Sequence, residues 1–457
     1  MFKIILAIRY LIKRRITYLA VFAVALCVLI AVVAMTVMMG IVHEFKQKSY
    51  SYTGDCVVGT SSLVGFAYYE DFIKALEETD FVEGVSPTIK SYALVSPSWS
   101  DQSLGLEIMG IDPVKHSRVT SFGDTLHYRK NDVLSAFEPI FNPALLGCIL
   151  AIDVGYRLRN PMAPVRNSSG GYFYSNRLDE TSISVSCIPL TARGAPAKAG
   201  LGLINAQSFY YSDYSHSGLA RVDSSVVYLP FEQAQMLCGM DGPSRRANAI
   251  HIKFKPNIKL QAGCNKVASL WQKFKKEKAD EKYANLLRTV TVQSWKEHQR
   301  ASIAAMEKEE AIFTIMFALG GIMIIFIVFV VFYMIISHKS KDIGILKSIG
   351  VSNANIFKLF SCFAFLVGLL GSGLGVLTSW LFLVKIHDIE NWILDRFHWQ
   401  LYDRTIYAIG ETPNQMDPKV LVIIILAAIV ACLAGALLPG WRASKLEPIE
   451  ALQVSQL

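Results

Sequence analysis

The sequence predicts an α-helical membrane domain of four transmembrane helices joined to a mixed α+β extracytoplasmic domain. Three observations carry this. Four long apolar runs stand out, at residues 17–42, 311–336, 356–384 and 420–438. A long stretch between the first two has the alternating and helical periodicities of a folded domain. The 457 residues are 52% hydrophobic with a mean hydropathy of +0.36, too apolar for a soluble protein and too polar for one wholly in lipid. The net charge of +8 does not call for nucleic acid, because much of the excess lies beside the apolar runs, where retained Lys and Arg fix orientation.

Residues 1–15 place Lys3, Arg9, Lys13, Arg14 and Arg15 among Phe2, Ile5, Ile8, Leu11 and Ile12, the pattern of a cytoplasmic amphipathic helix lying on the membrane. Transmembrane helix 1 is set at 16–43, since Thr17 to Val42 carries no charge over about 26 residues, ample for a bilayer at ~1.5 Å per residue. A cleaved signal peptide fits less well: its apolar core would be about 7–15 residues. The A-x-A at Ala23–Ala25 lies inside the run, and Leu26 spoils a lipoprotein box at Cys27.

Residues 44–310 are expected to form the extracytoplasmic domain. TGDCVVG (53–59) reads as a strand edge, and the stretch from Tyr69 as a helix with Phe72, Leu76 and Thr79 on one side, ending near Gly84. TIKSYALVS and LEIMGID read as strands, turned at Gly110 and Asp112–Pro113. DSSVVYLPFEQAQMLCG reads as a strand, a break at Pro230 and a helix from Phe231; NAIHIKF (248–254) is a strand followed by a helix through Ala268, Leu270 and Trp271. Residues 160–218, rich in Gly, Ser, Asn and Tyr, read as long loops or an insertion. The approach to the second span, VQSWKEHQRASIAAMEKEE, reads as a continuous helical stalk, with Trp295, Ile303 and Met306 available to pack it against the domain or against the extension of helix 1 (His43 to Lys48).

Transmembrane helix 2 is placed at 311–337, helix 3 at 356–385 and helix 4 at 419–441, followed by a cytoplasmic tail at 442–457. Gly371 and Gly375 form a G-x-x-x-G in helix 3, and Ala427, Ala431 and Gly435 repeat a small residue every four in helix 4. Small residues let membrane helices approach closely, since their association depends on packing; small residues tolerated in lipid are the alternative. Residues 386–418 return to the outside as a loop with Trp392, Phe397, Trp399, Tyr402 and Tyr407 at the interface.

The segment 338–355 between helices 2 and 3 is basic (Lys339, Lys341, Lys347), hence cytoplasmic. A short helix is expected there, capped by Ser340 and ended by Gly350, with Ile343, Leu346 and Ile349 on one face. That face either docks on a partner or lies flat on the headgroups. The sequence KSKDIGILKSIGVSNANIFKLF resembles the coupling segment of the FtsX-like ABC transporter permease family, and within it the lipoprotein-releasing permeases of the LolC/LolE type. The resemblance extends upstream through SWKEHQRASIAAMEKEEAIFTIMF and resumes at LPGWRASKLEPIEAL. The outer domain, including PALLGCILAIDVGYRLRN, is more weakly similar to the MacB-like periplasmic domain.

The resemblance implies that Asp342, Ile343, Gly344, Ile345, Leu346, Lys347, Ser348, Ile349 and Gly350 contact a separate ABC ATPase. It further implies a second permease copy or paralogue, a lipoprotein or other amphiphilic substrate, a periplasmic carrier, and a bacterial inner-membrane location with both termini cytoplasmic. Two other functions remain open: mechanotransmission of the FtsX type, activating an extracytoplasmic partner, and MacB-type efflux of another amphiphile. From the residues themselves, Met35, Met38, Met39, Val42 and Phe45 on helix 1 and Ile312, Phe313 and Met316 on helix 2 suggest an adaptable acyl-chain cavity, methionine being suited to varied apolar partners; lipid-facing surface or a dimer seam is the alternative.

No catalytic or metal-ligating constellation is found. The sequence has no G-x-x-x-x-G-K-[ST], so no cofactor is expected on this chain, and ATP with Mg is assigned to the partner ATPase, few residues preceding the first span. No zincin motif or G-x-S-x-G elbow occurs, and the nine histidines are scattered, most densely at His387 and His398 beside Asp388, Glu390 and Asp395. Of the 8 cysteines, five lie between the first two spans; no C-x-x-C occurs, and their pairing is not legible.

Overall fold

A helix of 39 residues, Arg15–Thr53, begins the described part of this computed structural model, which covers residues 15–159, 163–166, 172–173, 180–197, 204–242, 244–397 and 416–445. The chain divides into two units. One comprises Met1–Val42, Ala305–Ile393 and Glu411–Leu457, the other His43–Ala304 and Leu394–Gly410.

The first unit contains the spans. Among the described residues four helices are long and apolar enough to cross a membrane: Tyr18–Thr53, Arg300–Ile336, Asn353–Val384 and Pro418–Lys445. Each buries one stripe at three- and four-residue spacing. Val21, Val24, Val28 and Val32 meet Ile324, Val328, Val331 and Ile335, together with Phe360, Phe363, Ala364 and Val367 and with Ala428, Ala431, Cys432 and Ala436. The other faces are apolar and exposed, as at Phe22, Leu26, Leu319, Phe326, Trp380 and Val430, which suits lipid as the solvent. Pro439 is tolerated inside the fourth helix, buried near its end. Residues 386–397, read from the sequence as part of a loop, form the helix Ile386–Phe397; Trp392 and Phe397 on it are exposed. The N-terminal amphipathic helix (to residue 14), Trp399, Tyr402, Tyr407, His398 and the tail from residue 446 lie outside the described residues.

The second unit is built on a nine-stranded mixed sheet. Its order is Thr291–Ser294, Cys56–Gly59, Ala249–Phe254, Val82–Pro97, Leu104–Ile111, Val226–Pro230, Gly147–Ala151, Asn205–Ser215 and Ser182–Cys187. Val226–Pro230 runs parallel to Leu104–Ile111, and Gly147–Ala151 parallel to Asn205–Ser215; the remaining pairs are antiparallel. On Val82–Pro97 the period of two is explicit: Ile89, Ser91, Ala93 and Val95 are buried while Lys90, Tyr92 and Leu94 face out. The helices Tyr69–Glu77 and Leu260–Glu277 cover one end, with Trp271 edge-on to Phe72 (4.8 Å) and Phe66 (5.6 Å).

Three expectations are corrected here. The helix from Tyr69 ends at Glu77, because the Thr79 hydroxyl donates to the Leu76 carbonyl (2.7 Å) and closes the last turn; Gly84 lies in a strand instead, paired with Lys253. Cys56–Gly59 is not an edge but is paired on both sides. Within 160–218, Ser182–Cys187 and Asn205–Ser215 are strands of the main sheet, so this region is not simply loop. Residues 160–162, 167–171 (with the Asn167 sequon), 174–179 and 198–203 lie outside the described residues.

Candidate functional site

Both long helices that flank the mixed domain are rooted in it at one place. The helix Arg15–Thr53 stops at Gly54, whose φ of +81° gives the left-handed turn that ends it, with the Gly54 N–H donating to the Tyr50 carbonyl (2.9 Å). The stalk of the second span starts at Ser294 with a capping box: the Glu297 N–H donates to the Ser294 hydroxyl (3.4 Å), and Glu297 Oε2 accepts from the Ser294 N–H (2.8 Å). The stalk is therefore not a continuous helix from Val292, since Thr291–Ser294 pairs as a strand and only Arg300–Ser348 runs unbroken.

Residues of the two helix roots touch directly. Tyr50 and Trp295 meet edge-on at 5.7 Å, the Trp295 N–H donates to the Asp55 carbonyl (3.1 Å), and Gln299 Nε2 donates to Thr53 Oγ1 (3.3 Å). The Thr53 carbonyl also accepts from His251 Nδ1 (2.8 Å), which requires the proton on Nδ1. His251 stands between two other histidines, with ring centroids 5.6 Å from His116 and 6.5 Å from His298. Burial pushes His251 down to about 4, overriding the Thr53 hydrogen bond that favours the cation; burial lowers His116 as well, while His298 at the end of the row is exposed. This neutral histidine row went unread in the sequence because its members lie far apart in the chain. The capping box was legible as S-x-x-E and was missed.

In the helical unit the glycine pair marks a close approach. A methyl on Gly371 would come 2.8 Å from Val24 Cβ, and one on Gly375 2.7 Å from Val28 Cβ and 2.8 Å from the Ala25 carbonyl oxygen, so these glycines admit the first span. On the fourth helix, Gly435 lies against the Ile325 carbonyl oxygen (2.5 Å from an added methyl) and Ala431 is buried. Ala427 is exposed, and Ala428 takes the inward place. Gly368, unremarked in the sequence, faces Ile429 and Cys432.

Segment 338–355 differs from expectation in one respect. The second helix continues through Ser340 to Ser348, so no separate short helix starts there. That helix ends at Ser348, just before Gly350 adopts φ +95° with its N–H donating to the Lys347 carbonyl (2.9 Å), and Asn353 opens the third span. With no proline between residues 337 and 349, nothing interrupts the hydrogen-bond ladder. Ile345 and Ile349 are exposed, Ile349 by 76%. The side chains of Asp342, Ile343, Gly344 and Leu346 lie outside the described residues. At the proposed cavity, Met38 and Val42 are buried, Met35, Met39, Phe45 and Phe313 half-buried, and Ile312 and Met316 exposed. Among the described residues no group of three or more His, Cys, Asp or Glu is arranged to hold a metal ion.

Four helices able to span a membrane, with a mixed α+β domain inserted between the first two, fit a membrane protein with a large extramembrane domain. Residues 312–448 match the FtsX-like permease C-terminal family, and this part of the chain is an FtsX-like permease domain. Across 434 residues, 95% of this chain and 92% of the relative, it is 21% identical to the lipoprotein-releasing system transmembrane protein LolC of Xylella fastidiosa (strain Temecula1). Against LolC of X. fastidiosa (strain 9a5c) the identity is 31%, over 120 residues that span 26% of this chain and 29% of that protein. Among solved structures, the periplasmic region of MacB from Actinobacillus actinomycetemcomitans is similar at 10% identity over 55% of this chain and 92% of that one, with a TM-score of 0.31.

Proposed function

We propose that the chain is the permease subunit of an ABC transporter that releases lipoproteins from a bacterial inner membrane, driven by a separate ATPase that holds ATP and Mg. The observation that carries this is the joint rooting of the two long helices at Thr53, Trp295 and Gln299: a tilt of either span must be felt by the sheet through these contacts. The exposed Ile345 and Ile349, just before the Gly350 turn, offer the ATPase an apolar foothold. The names of the LolC relatives support lipoprotein as cargo. In this reading the mixed domain is extracytoplasmic, both termini are cytoplasmic, and a second permease copy or paralogue completes the transporter.

The acyl chain enters beside Ile312 and Met316, which are exposed. A photo-crosslinker at Met316 in the assembled transporter is expected to capture the acylated N-terminus of a lipoprotein, and capture falls when ATP is trapped. Equal labelling by bulk phospholipid, unchanged by nucleotide, defeats the cargo assignment. A second reading, mechanotransmission to an extracytoplasmic partner, is favoured by the burial of Met38 and Val42, two of the first-helix residues that the acyl-chain cavity would use. Nucleotide-dependent activation of a cell-wall hydrolase with no lipoprotein captured decides for it.

A further inference from the structure

Cys187 ends the strand Ser182–Cys187, which pairs with Val82–Pro97 on one side and Asn205–Ser215 on the other, and Cys238 caps the C-terminus of the helix Phe231–Leu237. They are 51 positions apart in sequence, yet their sulfurs are 3.9 Å apart and both residues are buried. The backbone holds the two segments together on either side of the pair. The Leu190 N–H donates to the Cys238 carbonyl (3.1 Å), and Asn205 Nδ2 donates to the Met236 and Leu237 carbonyls (3.1 and 3.2 Å). The buried Arg246 spans both segments through the Leu190 and Gly239 carbonyls (2.7 and 2.6 Å). The sulfurs are thus held side by side by backbone and side-chain hydrogen bonds on both segments.

We propose that Cys187 and Cys238 form a disulfide that staples the strand Ser182–Cys187 to the helix Phe231–Leu237. This rests on the reading above that the domain lies outside the cytoplasm, where disulfides persist. The oxidant is a disulfide of the dithiol-oxidase class, acting while the domain folds and both thiols are still accessible. The Cys187 thiolate attacks one sulfur of that disulfide, forming a mixed disulfide and releasing the oxidant's other sulfur as a thiol. Cys238 then attacks Cys187 Sγ, and the oxidant leaves as a dithiol, carrying the two electrons and two protons of the protein thiols.

The test uses full-length protein from membranes, alkylated in denaturant without reductant and mapped by peptide mass spectrometry. In parallel, protease protection in right-side-out and inverted vesicles locates the domain. The expected result is a peptide pair linked through Cys187 and Cys238, and a fall in unfolding temperature of roughly 5–15 °C on adding reductant, absent in the Cys187→Ala/Cys238→Ala double variant. Alkylated Cys187 and Cys238 in a domain shown to lie outside overturn the disulfide and leave the permease reading intact. A domain on the cytoplasmic side overturns both.

Discussion

Replacing Gly375 by alanine tests the helix packing most directly. An added methyl would sit 2.7 Å from Val28 Cβ and 2.8 Å from the Ala25 carbonyl oxygen, closer than side-chain carbons are found, and the nearest obstacles belong to backbone or to the stem of a β-branched residue. Neither can swing away, so the first and third spans must separate by several tenths of an ångström. Overpacking of this kind costs about 1–3 kcal/mol. Alanine favours a helix over glycine by up to about 1 kcal/mol, which leaves a net loss of about 0–2 kcal/mol, still about 1–3 kcal/mol worse than a glycine-to-alanine change that gains propensity without a clash. Gly373 is the control: it lies on the same helix, two residues away, and an added methyl there meets nothing within 4 Å. Gly373→Ala keeps only the helix-propensity gain and should be neutral or stabilising. Unfolding of the purified chain in mixed micelles of rising dodecyl sulfate, followed by helicity and tryptophan emission, compares the two. Gly375→Ala is expected to unfold at a clearly lower detergent fraction than Gly373→Ala. Coincident transitions for the two variants would refute the close approach of the first and third spans.

Other outcomes follow from the same geometry. Ile349→Asp removes no packing, since Ile349 is exposed, but places a charge in the proposed ATPase contact; losing an interface anchor costs about 2 kcal/mol or more, roughly a thirtyfold weaker complex, and undiminished co-purification of the ATPase speaks for a segment lying on lipid. The purified permease alone should show no micromolar nucleotide binding by calorimetry, its sequence having no phosphate-binding loop. The mixed domain should lose stability as pH falls from about 6.5 toward 4, because the unfolded imidazoles of His251 and His116 take up protons there and the buried ones do not. With His251 held at about 4 against 6.5, it alone accounts for about 3 kcal/mol at ~1.36 kcal/mol per pH unit. Asp223, raised to about 6 by burial, and Asp213, also raised by burial, work the other way as pH falls and offset part of the histidine contribution. A pH-independent unfolding temperature over that window contradicts the buried neutral row, and His251→Gln should flatten the slope.

The four spans were legible from the sequence because lipid demands long uncharged helices, whatever surrounds them. Gly371 and Gly375 were legible for a related reason: only small residues admit another backbone, so their spacing marks a helix crossing before the partner is known. The same rule misplaced Ala427, since a repeat of four drifts around a helix of 3.6 residues per turn and the buried line passes to Ala428. Local pattern also found Val226–Pro230 with its following helix and Ala249–Phe254, where alternation and a proline break agree. It failed where distant pairing decides. Gly84 is in a strand because Lys253 lies across from it, and Ser182–Cys187 is a strand because Leu94 to Pro97 and Asn205 to Tyr210 flank it, although its serines read as loop. The meeting of Thr53, His251, Trp295 and Gln299, and of Cys187 with Cys238, belongs wholly to the tertiary structure. No periodicity within a segment encodes which segment will stand beside it. That choice is made when the sheet buries its faces and every buried polar group must find a partner.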